Sequence, residues 1–233
     1  MAQADIIMAR RALLLALGSF AAVAPFGMRA LAQGGGLLGG VLNRASDRAL
    51  DKLAQPGAFY NDPAVRIALP GLGNAGGGLL GGVAGLLGGV SGLDGITHKL
   101  NDAAGSAAHA AKPVFHTAIS QLSIRDVPGI LSHSDGGTRY LRQSAATTLH
   151  GKVRPLIDTA LTALGVYHEV ARLGSNGGLL GQLGLSRDKL GNAVTGQALN
   201  GIFAYMGVEE GHLRANPLRA LGGASSLLGN SNF

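Results

Sequence analysis

The chain has 233 residues and a formal net charge of +6, with 46% hydrophobic residues, only 4% aromatics, no Trp and no Cys. The absence of Cys excludes disulfides, thiolate chemistry, Cys-based metal sites and lipid attachment at a mature N-terminal Cys. The charge is spread along the chain without a run of like sign. It supplies neither a concentrated basic face for a nucleic-acid backbone nor, with so few aromatics, a stacking platform for RNA bases.

Residues 1–32 read as an export signal. Arg10-Arg11 precedes an apolar run from Ala12 to Gly27, too short and too sharply ended for a bilayer span of about 20 residues. Ala30-Leu31-Ala32 has the small-x-small pattern of a signal-peptidase site, so cleavage is expected between Ala32 and Gln33. The arginine pair resembles a twin-arginine signal and fits an ordinary general-secretory signal equally well. The expected location is therefore the periplasm, or the exported envelope, of a Gram-negative bacterium. Removing the signal leaves 201 residues with a net charge of +4, enough for one domain with its own core.

A glycine-rich lead-in follows at 33–41, and a helical domain is expected over 42–220. Asn43 to Ala54 reads as a helix ended by Gln55-Pro56-Gly57. The octapeptide GGGLLGGV occurs at Gly34–Val41 and again at Gly76–Val83, inside an uncharged stretch, 71–93, that holds eleven glycines. Gly77, Gly81, Gly85 and Gly89 recur every four residues, a spacing that lets helix backbones approach closely. Against that, each glycine costs a helix about 1 kcal/mol relative to Ala. A loose surface stretch, a helix pressed on the core and a membrane-active glycine zipper all remain open.

Further along, Ser123 can cap a short helix through Leu131. Leu141, Ala145, Leu149, Val153, Leu156, Ile157, Ala160, Leu161 and Leu164 form one helical stripe. Pro155 is expected to kink or split that helix near Lys152–Arg154. A second stripe runs Leu190, Val194, Leu199, Ile202, Phe203 and Met206, with Ser186 as N-cap and Asn216-Pro217 as stop. Residues 221–233 read as a flexible tail. The fold class is all-α, a compact multi-helix bundle-like domain after a cleaved signal peptide.

Chemistry-bearing patterns are sparse. His98, His109 and His116 fall near one helical face, but at 1.5 Å rise they lie on the order of 16 and 10 Å apart, too far to share an ion. Pro113 is also expected to interrupt that helix, and a polar stripe facing solvent explains the three. Glu209 and His212 have Glu-x-x-His spacing without the second half of a di-metal site. Glu209 and Glu210 point about 100° apart on a helix, which disfavours an acid–base pair. No G-x-S-x-G elbow and no phosphate-loop Lys-Ser/Thr occurs. No metal, cofactor or catalytic set is expected. There remain Arg66, Arg125, Arg142, Glu209, Glu210 and Arg214, read either as ion pairs between helices or as a small anion-accepting pocket.

Four segments carry a resemblance. They are Asn61–Pro70 (NDPAVRIALP), Ala111–Phe115 through Ala118-Ile119, Thr138–Arg142 (TRYLR), and Ala198–Phe203 (ALNGIF), followed by Glu209-Glu210 and Arg214–Pro217. In order and spacing the chain resembles a bacterial domain-of-unknown-function family, numbered forty-one ninety-seven, over nearly all of residues 42–228. The resemblance implies an exported, all-helical protein and brings no activity. Arg66, Tyr140, Arg142, Glu209, Glu210 and Arg214 fall on the family's charged motif positions and form a candidate polar cluster. Gly71–Leu93 departs from the family's charged amphipathic helix, and Gly191–Val194 from its acidic-aromatic segment. The expected role is a non-enzymatic structural or interaction protein of the envelope, binding another component through a helical groove. The alternatives are a peripheral membrane module using 71–93, with an anionic membrane surface as partner, and a small-ligand binder or enzyme using Arg66, Arg142 and Glu210.

Overall fold

A computed structural model describes residues 24–70, 90–123, 130, 132–175 and 185–216. Among them lie six α-helices and no strand: α1 (Ala24–Leu53), α2 (Ala58–Asn61), α3 (Val90–Ser120), α4 (Gly136–Ala163), α5 (Val166–Ser175) and α6 (Arg187–Ala215). The all-α expectation holds for these residues. The chain divides into two units, Met1–Leu38 and Gly39–Phe233, and the helical body is the second. No helix among the described residues is long and apolar enough to cross a membrane.

α1 starts well before Asn43, so the glycine-rich lead-in and the Ala32–Gln33 junction both lie within it. Glycine weakens a helix without blocking it, and Pro25 stands in the first turn, where a missing N–H is tolerated. The C-terminal half of α1 buries Leu42, Ala45, Ala49, Leu50 and Leu53 completely. It runs antiparallel to α3, with Asp47 2.8 Å from His116 and Asp51 2.5 Å from Lys112.

Both internal prolines sit inside continuous helices, so the expected interruption at Pro113 and a split at Pro155 do not occur. A proline in a helix interior removes one N–H and costs about 3 kcal/mol. Burial offsets that here, because apolar faces continue on either side: Ala108, Ala111, Phe115 and Ala118 around Pro113, and Leu149, Val153, Ile157 and Leu161 around Pro155. Thr117 and Thr159 donate their hydroxyls to the proline carbonyls four residues back, each at 2.8 Å.

The α4 stripe is buried from Leu141 to Leu161, with Leu156 and Ala160 half-buried and Leu164 exposed at the helix end. On α6 all six stripe residues are buried, and Ser186 caps the helix by accepting from the Lys189 N–H at 3.2 Å. The helix stops at Ala215, as Asn216-Pro217 led one to expect. α4 and α6 are antiparallel neighbours, joined by Glu210 to Gly137 at one end and Arg154 to Asp188 at the other. α3 packs on both, and α5 packs on α3 and α4. The three readings of 71–93 lie outside the described residues except for 90–93, the start of α3. The Ser123–Leu131 helix and the 221–233 tail also lie largely or wholly outside them.

The element with no forecast in the helical pattern is a strap, 62–69, that follows α2: a turn at 63–65, where the Val65 and Arg66 N–H groups donate to the Asp62 carbonyl, leads into non-helical residues 66–69. Val65, Ile67 and Leu69 are buried and alternate with less buried neighbours, the period of a strand. Among the described residues no strand pairs with it. Instead the Asn101 side chain of α3 accepts from the Ile67 N–H (2.8 Å) and donates to the Ile67 carbonyl (2.9 Å). Gln197 of α6 does the same for Ala68, at 2.9 and 3.0 Å. Gly201 lets the strap approach α6, since a Cβ there would lie 3.1 Å from both Phe59 Cε1 and Val65 Cβ. At the strap's start, Tyr205 donates to Asp62 at 2.6 Å and the Ala64 N–H donates to the same carboxylate at 2.9 Å.

Gly201→Ala is expected to overpack the strap and destabilise the chain by about 1–3 kcal/mol. Gly196→Ala, whose Cβ would meet nothing within 4 Å, should stabilise α6 by up to about 1 kcal/mol. Urea midpoints of the two variants against the parent check the contrast.

The Asp62–Tyr205 bond should also make stability pH-dependent. The Tyr205 hydroxyl and the Ala64 N–H hold the Asp62 carboxyl below its ordinary value. Its contribution is therefore present above the unfolded carboxylate pKa and lost as pH falls through the lowered folded one. The hydrogen bond to Asp62, with burial, pushes Tyr205 from 10.0 up to about 12. Its contribution is complete below the unfolded phenol pKa and lost as pH rises toward about 12. Tyr205→Phe should lower the urea midpoint near neutral pH, with the gap to the parent narrowing at both extremes.

Candidate functional site

Glu210, on the last turns of α6, is fully buried. Its carboxylate accepts the backbone N–H groups of Gly137 (2.9 Å) and Thr138 (2.7 Å) in the first turn of α4. Those N–H groups have no partner within their own helix, and the positive end of the helix dipole favours an anion there. Asp135, at the N-cap of α4, makes no side-chain cap bond and pairs with Arg139 at 2.8 Å. A distant glutamate thus takes over the capping role. Arg214, one turn beyond Glu210, pairs with it at 2.5 Å, off the axis of a good hydrogen bond, and donates to the His133 carbonyl at 3.2 Å. The corner closes tightly around Gly136, where an added Cβ would fall 1.9 Å from the Ile130 carbonyl oxygen.

Its neighbour Glu209 turns to another element. It is buried and pairs with Lys52 and, at 3.7 Å, with Arg48, tying α6 to α1. Adjacent helical positions do point apart, as their angular spacing requires. Arg66 donates from Nε to the Tyr60 carbonyl at 2.5 Å, its guanidinium 4.7 Å above the Tyr60 ring. Tyr60 in turn stacks on His98 and donates to Asp94 at 2.7 Å. The Tyr140 hydroxyl donates to the Ser123 carbonyl at 2.6 Å. Arg142 donates to the Asn200 side chain at 2.7 Å and lies 5.7 Å from the Phe203 ring centre. Of the six candidates, the structure brings Glu210 and Arg214 into contact. Arg66, Tyr140, Arg142 and Glu209 sit on other partners, and Arg125 lies outside the described residues.

The three α3 histidines are exposed, and among the described residues no three His, Asp or Glu side chains gather as metal ligands would. One polar cluster escaped sequence reasoning. Arg154 pairs with Asp158 at 2.9 Å and reaches Asp188 and Asn192 on α6. Tyr167 of α5 donates to Asp158, and burial together with that bond pushes its phenol up to about 12. The i,i+4 spacing of Arg154 and Asp158 was its visible signal. The partners on α5 and α6 had none.

Among the described residues, an open groove of about 640 Å³ lies between the start of α4 and the end of α6, lined among others by Thr138, Arg139, Arg142, Phe203, Val208 and His212. Val208 is one of the few large apolar residues left exposed among the described residues, at 56%. Arg142 is the one sequence-predicted site residue on this lining.

Residues 34–228 match the family model described as Protein of unknown function (DUF4197), and the chain belongs to that family. No curated protein and no solved structure matches it.

Glu210→Gln is expected to destabilise the chain by about 3–5 kcal/mol, because Arg214 is left without its counter-charge in a closed corner. Glu209→Gln should cost clearly less, since Lys52 and Arg48 are half exposed and regain water. Thermal midpoints of the two variants, one residue apart in sequence, check the difference.

Proposed function

For this member of a family without an assigned role, we propose a non-enzymatic interaction protein of the bacterial envelope, docking another envelope component through the α4–α6 groove. The N-terminal pattern supports the location: Arg10-Arg11, the apolar run and Ala30-Leu31-Ala32 form an export signal. The observation that carries the role is the use of the buried carboxylates. Glu210 caps α4 and Glu209 ties down α1, so each acidic group in the motif holds helices together. The partners of both are backbone N–H groups and cations, Lys52 and Arg48 for Glu209 and Arg214 for Glu210, and no serine or threonine hydroxyl is bonded to either carboxylate among the described residues. By contrast, the groove joins exposed cations to the exposed Val208 and the edge of Phe203, a mixture of polar rim and apolar surface suited to recognition.

Three measurements test this. Cell fractionation with N-terminal sequencing should find the chain outside the cytoplasm, beginning at Gln33. An uncut cytoplasmic chain refutes the envelope location. A photo-crosslinking side chain at Val208 should give a discrete adduct in intact cells, and the same group at the exposed Lys152 on α4 should not. Turnover of a broad hydrolase panel that disappears in Arg142→Ala would overturn the non-enzymatic reading.

A further inference from the structure

We propose that the α4–α6 groove is an oxyanion site for the phosphate group of a phosphate ester, with Thr138 and Arg142 as its principal donors. This rests on the docking reading above and names the chemistry of what docks. The first observation is Thr138. It is 4% exposed and lines the groove, and its hydroxyl oxygen is buried without a hydrogen-bond partner. A buried polar group left in that state destabilises the fold unless a partner arrives. Its own N–H is bound to Glu210, so the hydroxyl alone is unanswered.

Arg142 lies four residues further along α4, on the same helical face. It gives one N–H to Asn200 and rests against Phe203, and no carboxylate pairs with it among the described residues. A guanidinium has five donors in a planar fork, so several stay open to an oxyanion. Ser134 and His212 add side chains to the lining. The single carboxylate there, Asp135, is bound to Arg139. The groove therefore offers the open donors of Thr138 and Arg142 with no unpaired carboxylate on its lining, and an anionic acceptor is their complement.

Phosphate fits those donors better than carboxylate does. The donors come from α4, from the segment before it and from α6, which suits a tetrahedral group with three terminal oxygens more than a planar one with two. Phe203 and Val208 offer apolar surface to the body of the ester. The volume lies within the roughly 300–1,000 Å³ range of small-molecule sites.

Calorimetric titration of the purified full chain tests the site with three probes: inorganic phosphate, phenyl phosphate, and phosphatidylglycerol vesicles. Phenyl phosphate should bind saturably and more tightly than inorganic phosphate. Arg142→Gln and Thr138→Val should each weaken it about tenfold, the scale of one charge-assisted or buried hydrogen bond. Thr138→Val should leave the thermal midpoint unchanged or raised, because the lost hydroxyl has no internal partner. Groove-dependent binding to vesicles with silent free esters also supports the site and identifies the ester as a lipid headgroup. The proposal is overturned if no probe binds, if neither variant weakens binding, or if Thr138→Val lowers the midpoint. A Val208 crosslink without any phosphate response removes this inference and leaves the docking reading standing.

Discussion

The body is organised around a length of extended backbone that has no sheet to join. Buried N–H and C=O groups must find partners, and in an all-helical interior the helices have already used their own. Two side-chain amides resolve this for the strap. Asn101 and Gln197 each present one donor and one acceptor to a single residue, the pairing a neighbouring strand would otherwise offer. Because one amide comes from α3 and the other from α6, satisfying the strap also sets the distance between those helices. The buried side chains of Val65, Ile67 and Leu69 then fill the space that distance leaves.

Charged residues serve the same end. Glu210 brings the end of α6 against the start of α4, and Glu209 brings it against α1. Buried ion pairs add little net stability over apolar packing, but a broken one is expensive. Their value here is positional: each joins elements that the apolar stripes alone would allow to slide. The polar groups at motif positions thus look like chemistry in the sequence and act as fasteners in the fold. The groove lies at the edge of the fastened corner, where Thr138 shares a residue with the capping bond and Arg142 stands one turn away.

What could be read beforehand follows from how local each cause is. The stripes of α4 and α6, the Ser186 cap and the stop at Asn216 are properties of neighbouring residues, and they were legible. Pro113 and Pro155 misled because a local penalty was weighed without the burial on both sides that offsets it. The strap stayed hidden although Val65, Ile67 and Leu69 alternate, since nothing near them marks Asn101 or Gln197 as partners. Arg142 was singled out by its motif position, and the structure places it on the groove lining. Thr138 was visible within the same motif, but a hydroxyl becomes informative only once burial has stripped it of water and partners.

The ties that close this body span most of its length: Gln197 stands 129 residues beyond Ala68, and Glu209 stands 157 beyond Lys52. A ribosome releases the early half of the chain long before either late partner exists. During that interval the strap has an amide from α3 at best, and α1 has no counter-charge for Lys52. Contacts of such long sequence separation close late, because the loop between them must be ordered first. A product truncated ahead of Gln197 would present a bare, strand-like edge to its surroundings.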